Sequence, residues 1–233
     1  MMQRREGPRQ LPLDLAHGEA RTRDDLVVTE ANEQALALVD RWPQWISPVA
    51  LLAGPPGSGK SHLAEIWLGE SGAVSVPADS ITTETVETAR CQPILVDNAD
   101  RADLDQRGLF HLINAVKQSH SYLLMTARSY PSSWDIRIPD LLSRLRAAQI
   151  VEISEPDDML LTGVLMKLFA DRQVVVDPHV VQYVTRRMER SLSTARLVVD
   201  LLDRAALERK SKITRALAGE VLVELERSHP RQE

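Results

Sequence analysis

The sequence predicts an α/β protein: a parallel sheet with helices on both faces, followed by a small unit made only of helices. Three observations carry that prediction. Short, continuously apolar runs recur with helical stretches between them, the pattern of strands buried on both faces. A glycine-rich segment ending in Gly-Lys-Ser joins the first of those runs to a helix. Beyond Glu155-Pro156 the strand pattern stops and helical spacing takes over.

The elements follow in order. Residues 32–41 read as a helix with Ala35, Leu36, Leu38 and Val39 on its apolar side. Val49-Ala50-Leu51-Leu52-Ala53 is the first buried strand. Residues 60–70 are helical, Val74-Ser75-Val76 is a short strand, and a polar helix covers 80–89. Pro93-Ile94-Leu95-Val96 is a second buried strand. Leu109, Leu112, Ile113 and Val116 stand at helical spacing in 105–119. Tyr122-Leu123-Leu124-Met125-Thr126 is a strand, Pro139 opens a helix to about Arg146, and Ile150-Val151-Glu152-Ile153 is the last strand. Helices are expected over 157–172, 178–189, 193–209 and 214–226, the third using Leu197, Val198, Leu201, Leu202 and Ala205 as one face. Val174-Val175-Val176 reads as a bridge or a short strand between helices, and Met159 and Met166 as core of the helical unit. The expected organisation is a polar tail over 1–21, an α/β domain over 22–155, a helical domain over 156–227 and a tail over 228–233.

Composition narrows the function. The 233 residues are 43% hydrophobic and 26% charged, ordinary values for a globular chain with a real core. Aromatics are only 4%, so Leu, Val, Ile and Ala must build that core. Lys and Arg number 28 against 33 Asp and Glu, which argues against a protein whose main task is coating nucleic acid. One cysteine, Cys91, excludes an internal disulfide framework and a multi-cysteine zinc site; ahead of a strand, it reads as an inert small hydrophobe. No His-Glu-x-x-His spacing is present. No apolar run follows the first residues or reaches the roughly 18–20 residues of a membrane span, so a cytoplasmic protein without membrane contact is expected.

The chemistry-bearing residues are specific. Gly54-Pro55-Pro56-Gly57-Ser58-Gly59-Lys60-Ser61 fits Gly-x-x-x-x-Gly-Lys-Ser between a strand and a helix. Glycines let backbone N–H groups turn inward around phosphate oxygens, and the helix N-terminus adds positive potential. Lys60 suits the β/γ-phosphates, Ser61 suits Mg²⁺, and His62 follows them on the helix. Asp97, at the end of the strand Ile94-Leu95-Val96-Asp97, is the second element, an acid able to hold the Mg²⁺ shell. Asn98 follows, where many such ATPases place an acid to polarise the attacking water; an amide is no base, so weak turnover by this chain itself is expected. Asp100 is two positions on, and nothing in the sequence establishes it as a substitute.

The order of these segments resembles the AAA+ ATPases, and within them the replication initiator DnaA. Leu123-Leu124-Met125-Thr126-Ala127-Arg128-Ser129-Tyr130-Pro131 resembles the DnaA sensor 1 strand and its turn. Asp140-Leu141-Leu142-Ser143-Arg144-Leu145 with Ile150 to Pro156 resembles the segment that carries the arginine finger. Ser191-Leu192-Ser193-Thr194-Ala195-Arg196-Leu197 resembles sensor 2 in the helical lid. Asp24-Asp25-Leu26-Val27-Val28 and Asn32 resemble the edge that packs on adenine. The likeness covers about residues 22–226 in one collinear order. It departs from DnaA in two ways: no C-terminal helix-turn-helix follows the lid, and the DnaA N-terminal domain is replaced by a tail carrying Gln10-Leu11-Pro12-Leu13-Asp14-Leu15. That hexapeptide resembles a sliding-clamp binding motif, with Gln10 and Leu11 leading and Leu13 and Leu15 as apolar anchors. Together these features resemble the Hda family of DnaA-related regulatory inactivators.

That resemblance implies a function. Such a protein binds ADP or ATP with Mg²⁺, binds the β sliding clamp of DNA polymerase III, reaches DNA mainly through the clamp, and promotes hydrolysis of ATP held by DnaA. Arg144 is then the arginine finger acting in trans, with Arg146 as the nearby competitor. Arg196 is sensor 2, unless it is a helix-surface arginine paired with Asp200. Thr126 is sensor 1, unless it is an ordinary strand-end threonine. Head-to-tail self-association is a further expectation of the AAA+ resemblance. Two alternatives stay open: a DnaA-like ATPase or helicase loader on single-stranded DNA, and a non-catalytic clamp adaptor that needs Gln10 and Leu13 but not Arg144. The lid cations Arg186, Arg187, Arg190, Arg204, Arg209, Lys210, Lys212 and Arg215 alternate with acids and read as a solvated face.

Overall fold

A computed structural model describes residues 22–228; the clamp-like hexapeptide at 10–15 lies outside the described residues. The first strand, β1 (Val49–Ala53), has five apolar residues and all five are buried. Such a strand must be covered on both faces and paired on both edges. It lies between β4 (Leu123–Ala127) and β5 (Gln149–Glu152), and the sheet continues outward through β3 (Ile94–Asp97) to β2 (Val74–Pro77). The order is β2-β3-β4-β1-β5 and every pairing is parallel. Leu51 stands opposite Met125 on one side and Ile150 on the other.

Strand alternation sorts the two faces. Val49, Leu51, Ile94, Val96, Leu123 and Met125 face a core shared with Leu109, Leu112 and Ile113 of α4 (Gln106–Ser119) and Leu141 and Leu145 of α5 (Pro139–Arg146). Ala50, Leu52, Leu95 and Leu124 face a second core, shared with α1 (Glu33–Asp40) and α2 (Lys60–Ser71). Aromatics close that second core: the Trp45 ring stacks on Trp67 at 5.4 Å, and Trp42 meets Trp67 edge-on. Because all strands run the same way, their carboxyl ends form one edge, where a switch in strand order opens a crevice for ligands.

The polar helix expected over 80–89 is α3 (Thr83–Thr88), capped by Thr82. After β5 the chain forms α6 (Asp158–Asp171), α7 (Pro178–Thr185), α8 (Leu192–Arg209) and α9 (Arg215–Ser228). Side-chain oxygens of Asp157, Asp177 and Ser191 cap the first three of these helices. Leu161, Leu165, Phe169, Val181, Val184, Val198, Leu202 and Val221 form a third core that draws on no strand.

Four expectations are corrected by this packing. Val174–Val176 forms no strand; it runs as loop between α6 and α7. Met159 and Met166 are 75% and 53% exposed, not core, because α6 buries Leu161, Leu165 and Phe169 on the opposite side. Leu197 is also exposed, and α8 uses Ala195, Val198, Val199 and Leu202 instead. Cys91 is exposed at the turn before β3.

Candidate nucleotide-binding site

The carboxyl end of β1 runs straight into the phosphate-loop sequence, and α2 begins at Lys60. Gly57 and Gly59 adopt φ of +70° and +100°, a left-handed region that strains any residue with a Cβ. Those turns fold the loop around Lys60. The Lys60 ammonium donates hydrogen bonds to the carbonyl oxygens of Gly54 and Pro55, each at 2.7 Å, with Ser58 Oγ at 3.4 Å. Lys60 is only 7% exposed. Burial pushes its pKa down, while Asp100 and Asp97 pull it back up. A buried cation whose direct partners are all neutral oxygens is a receptor for an anion.

The strand-end acid is braced by its neighbours. The Thr126 hydroxyl donates to Asp97 Oδ1 in a short hydrogen bond and accepts the Asn98 backbone N–H at 2.9 Å. The Asn98 side-chain amide donates to Asp97 Oδ2 at 3.0 Å. Thr126 is fully buried, so its hydroxyl is committed to this brace rather than to solvent. Asp100 accepts the Arg128 backbone N–H at 2.9 Å. Both carboxylates near the loop therefore hold protein donors, and the residue after Asp97 is an amide.

Beside the loop lies a cavity of about 350 Å³, lined by Leu26, Val27, Asn32, Ser58, Gly59, His62, Leu160, Leu192 and Arg196, among others. Asn32 shapes its rim: its side chain donates to Val27 O at 2.8 Å and accepts the Thr29 N–H at 2.9 Å. His62 Nε2 lies 3.0 Å from Thr22 O. Val28 does not join the lining and is 48% exposed. Asp200, the alternative partner for Arg196, pairs with Arg172 at 2.6 Å.

The helical unit sits directly on the loop. Leu192 N–H donates to Gly57 O at 2.8 Å, and a Cβ on Gly57 would lie 2.1 Å from Ser191 Oγ. Lys167 of α6 pairs with Asp25 at 3.0 Å, and Val27 packs against Gly163. Thr22 and Lys167 hold the Asp25 carboxyl down to about 2. These contacts to Asp25, Gly57, Ser191 and Leu192 are what sequence spacing alone did not display.

Arg144 stands elsewhere. Leu141 and Leu145 anchor α5 in the sheet core, which turns Arg144 sideways toward α4. Its Nε donates to Asn114 Oδ1 at 2.7 Å, one terminal nitrogen donates to Asp140 O at 3.3 Å, and its guanidinium lies 4.6 Å from the Phe110 ring centre. No carboxylate pairs with it among the described residues, and it does not line the cavity beside the phosphate loop. Arg146, the competitor, is exposed. Phe110 and Asn114 are one helical turn apart on α4; their only sequence signal is a polar residue amid the apolar spacing of Leu109, Leu112, Ile113 and Val116.

No protein-family model matches this chain. An uncharacterised protein of Haemophilus influenzae is 26% identical over 188 residues, covering 75% of this chain and 81% of that one. Domain III of the replication initiation protein DnaA from Thermotoga maritima superposes with a TM-score of 0.77 over 88% of this chain and 97% of that domain, at 16% identity. This chain has the AAA+ fold. AMPPCP-bound DnaA from Aquifex aeolicus gives a TM-score of 0.69 at 18% identity, covering 82% of this chain and 68% of that one. The Holliday-junction branch-migration motor RuvB of T. maritima gives 0.71 at 16% identity, covering 88% and 72%. At such identities the likeness is one of architecture. No helix among the described residues is long and apolar enough to cross a membrane.

Proposed function

We propose that this protein is a DnaA-directed regulator of replication initiation. It holds an adenine nucleotide at its own phosphate loop and stimulates hydrolysis of ATP bound to DnaA through Arg144. One observation supports this reading above the others: the chain's two key cations face different ways. Lys60 is buried in its own loop, whereas Arg144 is fixed on α5, without a carboxylate partner and away from its own cavity. A guanidinium held by a neutral amide and an aromatic face keeps its full charge for a phosphate brought by another molecule. An arginine supplied in trans stabilises charge developing on the transferring phosphoryl group, worth about 10³–10⁵ in rate in other systems.

The chain's own nucleotide then has a structural task. Lys60 and the loop N–H groups would hold its phosphates, Ser61 and Asp97 would hold Mg²⁺ through it, and Leu26, Val27 and Arg196 would meet the remainder from the cavity walls. A bound nucleotide would supply negative charge to the buried Lys60 and would sit against the cavity walls that both the α/β and helical units line. Asn98 stands where an acid would activate water, and Asp97 and Asp100 already accept hydrogen bonds from protein donors, in keeping with weak turnover. The hexapeptide from Gln10 to Leu15 would tether the protein to the DNA-loaded clamp.

The test is phosphate release from pre-formed ATP–DnaA, with ADP and clamp loaded on DNA, by wild type and Arg144→Ala. The expected result is clamp-dependent release by wild type and a fall of about a thousandfold in the stimulated rate for the variant. Equal stimulation by both would reject Arg144 as the finger. Stimulation by neither would remove the DnaA assignment and leave DNA-dependent ATPase activity of this chain as the next assay.

A further inference from the structure

We propose that the outer face of the helical unit, where α7, α9 and the α8–α9 turn meet, binds the sugar-phosphate backbone of DNA. Alternating charges in the sequence suggest a solvated, self-neutralised surface, and part of the unit behaves that way: Arg190 pairs with Asp158 and Arg209 with Glu220. The face near Tyr183 does not. Arg187 of the α7 end and Arg215 of α9 both stack on the Tyr183 ring, at 4.1 and 4.7 Å from its centre. Arg186, Lys210 and Lys212 are exposed beside them in sequence, and no carboxylate pairs with any of these five cations among the described residues.

The arrangement is a track rather than a scatter. Arg187 and Arg215 share one ring, so their guanidinium carbons are at most about 9 Å apart. Arg215 also lines an open groove of about 1090 Å³ whose walls include Lys210 and Lys212. Four cations thus run from the end of α7 to the end of α8. A guanidinium stacked on an aromatic ring is stiffened and still presents its N–H edge for two-point contact with a phosphate. Backbone contacts of this kind fix position without reading bases. With both guanidiniums on Tyr183, the ring has little face left for a base, so the contact is indifferent to sequence.

An acidic peptide is the competing occupant. Asp177 and Asp203 stand in the groove's walls and would repel carboxylates and phosphates alike, so neither anion seats deep in it. A phosphate backbone needs only the rim. The inference does not depend on the DnaA assignment, since it concerns a different face from Arg144 and the phosphate loop.

Fluorescence anisotropy of a labelled duplex oligonucleotide, titrated with the full chain over a range of salt, tests it. Wild type should bind in the micromolar range or weaker, with affinity falling steeply as salt rises and no dependence on sequence. Arg187→Gln with Arg215→Gln should weaken binding about tenfold and lower the log–log salt slope by about 2. Lys210→Gln with Lys212→Gln should do the same, and these lysines touch no ring, so this variant keeps the test valid if the first one loses stability. Variants that bind as wild type does would overturn the proposal. So would a wild type that ignores duplex DNA but binds a poly-glutamate peptide.

Discussion

Lys60 and Arg144 are both held by uncharged groups, yet one is buried inside its own phosphate loop and the other lies half-exposed between α5 and α4. Lys60 is 7% exposed and clasped by the carbonyls of its own loop. Arg144 is half-buried, clasped by an amide from α4 and laid over Phe110. Burial lowers the Lys60 pKa, Asp100 and Asp97 offset part of that cost, and an incoming anion would offset more. The difference separates two tasks: receiving a nucleotide, and presenting a charge to someone else's.

The largest effect that sharpens this contrast is at Lys60. Lys60→Met keeps the volume and removes the charge. ADP affinity measured by calorimetry should fall about a hundredfold, or roughly 3 kcal/mol, as expected for charge-assisted bonds to phosphate. The thermal midpoint without nucleotide should stay level or rise, since a buried unpaired cation is gone. Arg144→Ala should leave ADP affinity within about twofold; a larger loss would mean that the two cations share one site and the contrast fails.

A middle-sized effect probes the seam. Gly57→Ala forces a Cβ into the left-handed region and to within 2.1 Å of Ser191 Oγ. The expected cost is about 2 kcal/mol, or roughly a 5 °C fall in thermal midpoint. Ser191→Gly in the same chain should recover part of it, because the overlap is relieved while the strained φ remains. No recovery would show that the helical unit does not rest on the loop.

The smallest effect is a pH dependence. Asp25 is held at about 2, against 3.8 for an unperturbed side chain, first by Thr22 and then by Lys167. A lowered carboxylate pKa adds stability above about pH 4 that is lost as pH falls toward 2. Because Asp25 and Lys167 are partly exposed, the contribution is that of a surface pair, at most about 1 kcal/mol. Asp25→Asn should therefore lower the thermal midpoint by about 2 °C at pH 7, with the gap from wild type narrowing below pH 4.

The two units were not equally legible in the sequence. The strands were plain, because five-residue apolar runs such as Val49–Ala53 have few other uses. The phosphate loop was plain because its glycines and Lys60 are needed at fixed offsets. In the helical unit, α6 is apolar on nearly every side, so periodicity could not say that Met159 and Met166 face out while Leu161 and Leu165 face in. The brace from Thr126 to Asp97 joins residues on neighbouring strands, and the Asn114 clasp on Arg144 joins α4 to α5. Such pairs depend on how elements pack, which spacing along one chain does not encode. The cations around Tyr183 show the same limit: alternation in sequence suggested neutralisation, and the fold turned Arg187 and Arg215 onto a ring instead.

The most direct test of the division between Lys60 and Arg144 is the rate of phosphate release from pre-formed ATP–DnaA, driven by Arg144→Ala protein already shown to hold ADP as wild type does. The account predicts a stimulated rate lower by about a thousandfold with clamp and DNA present. A rate equal to wild type would contradict it, and would leave Arg144 as a structural link between α4 and α5.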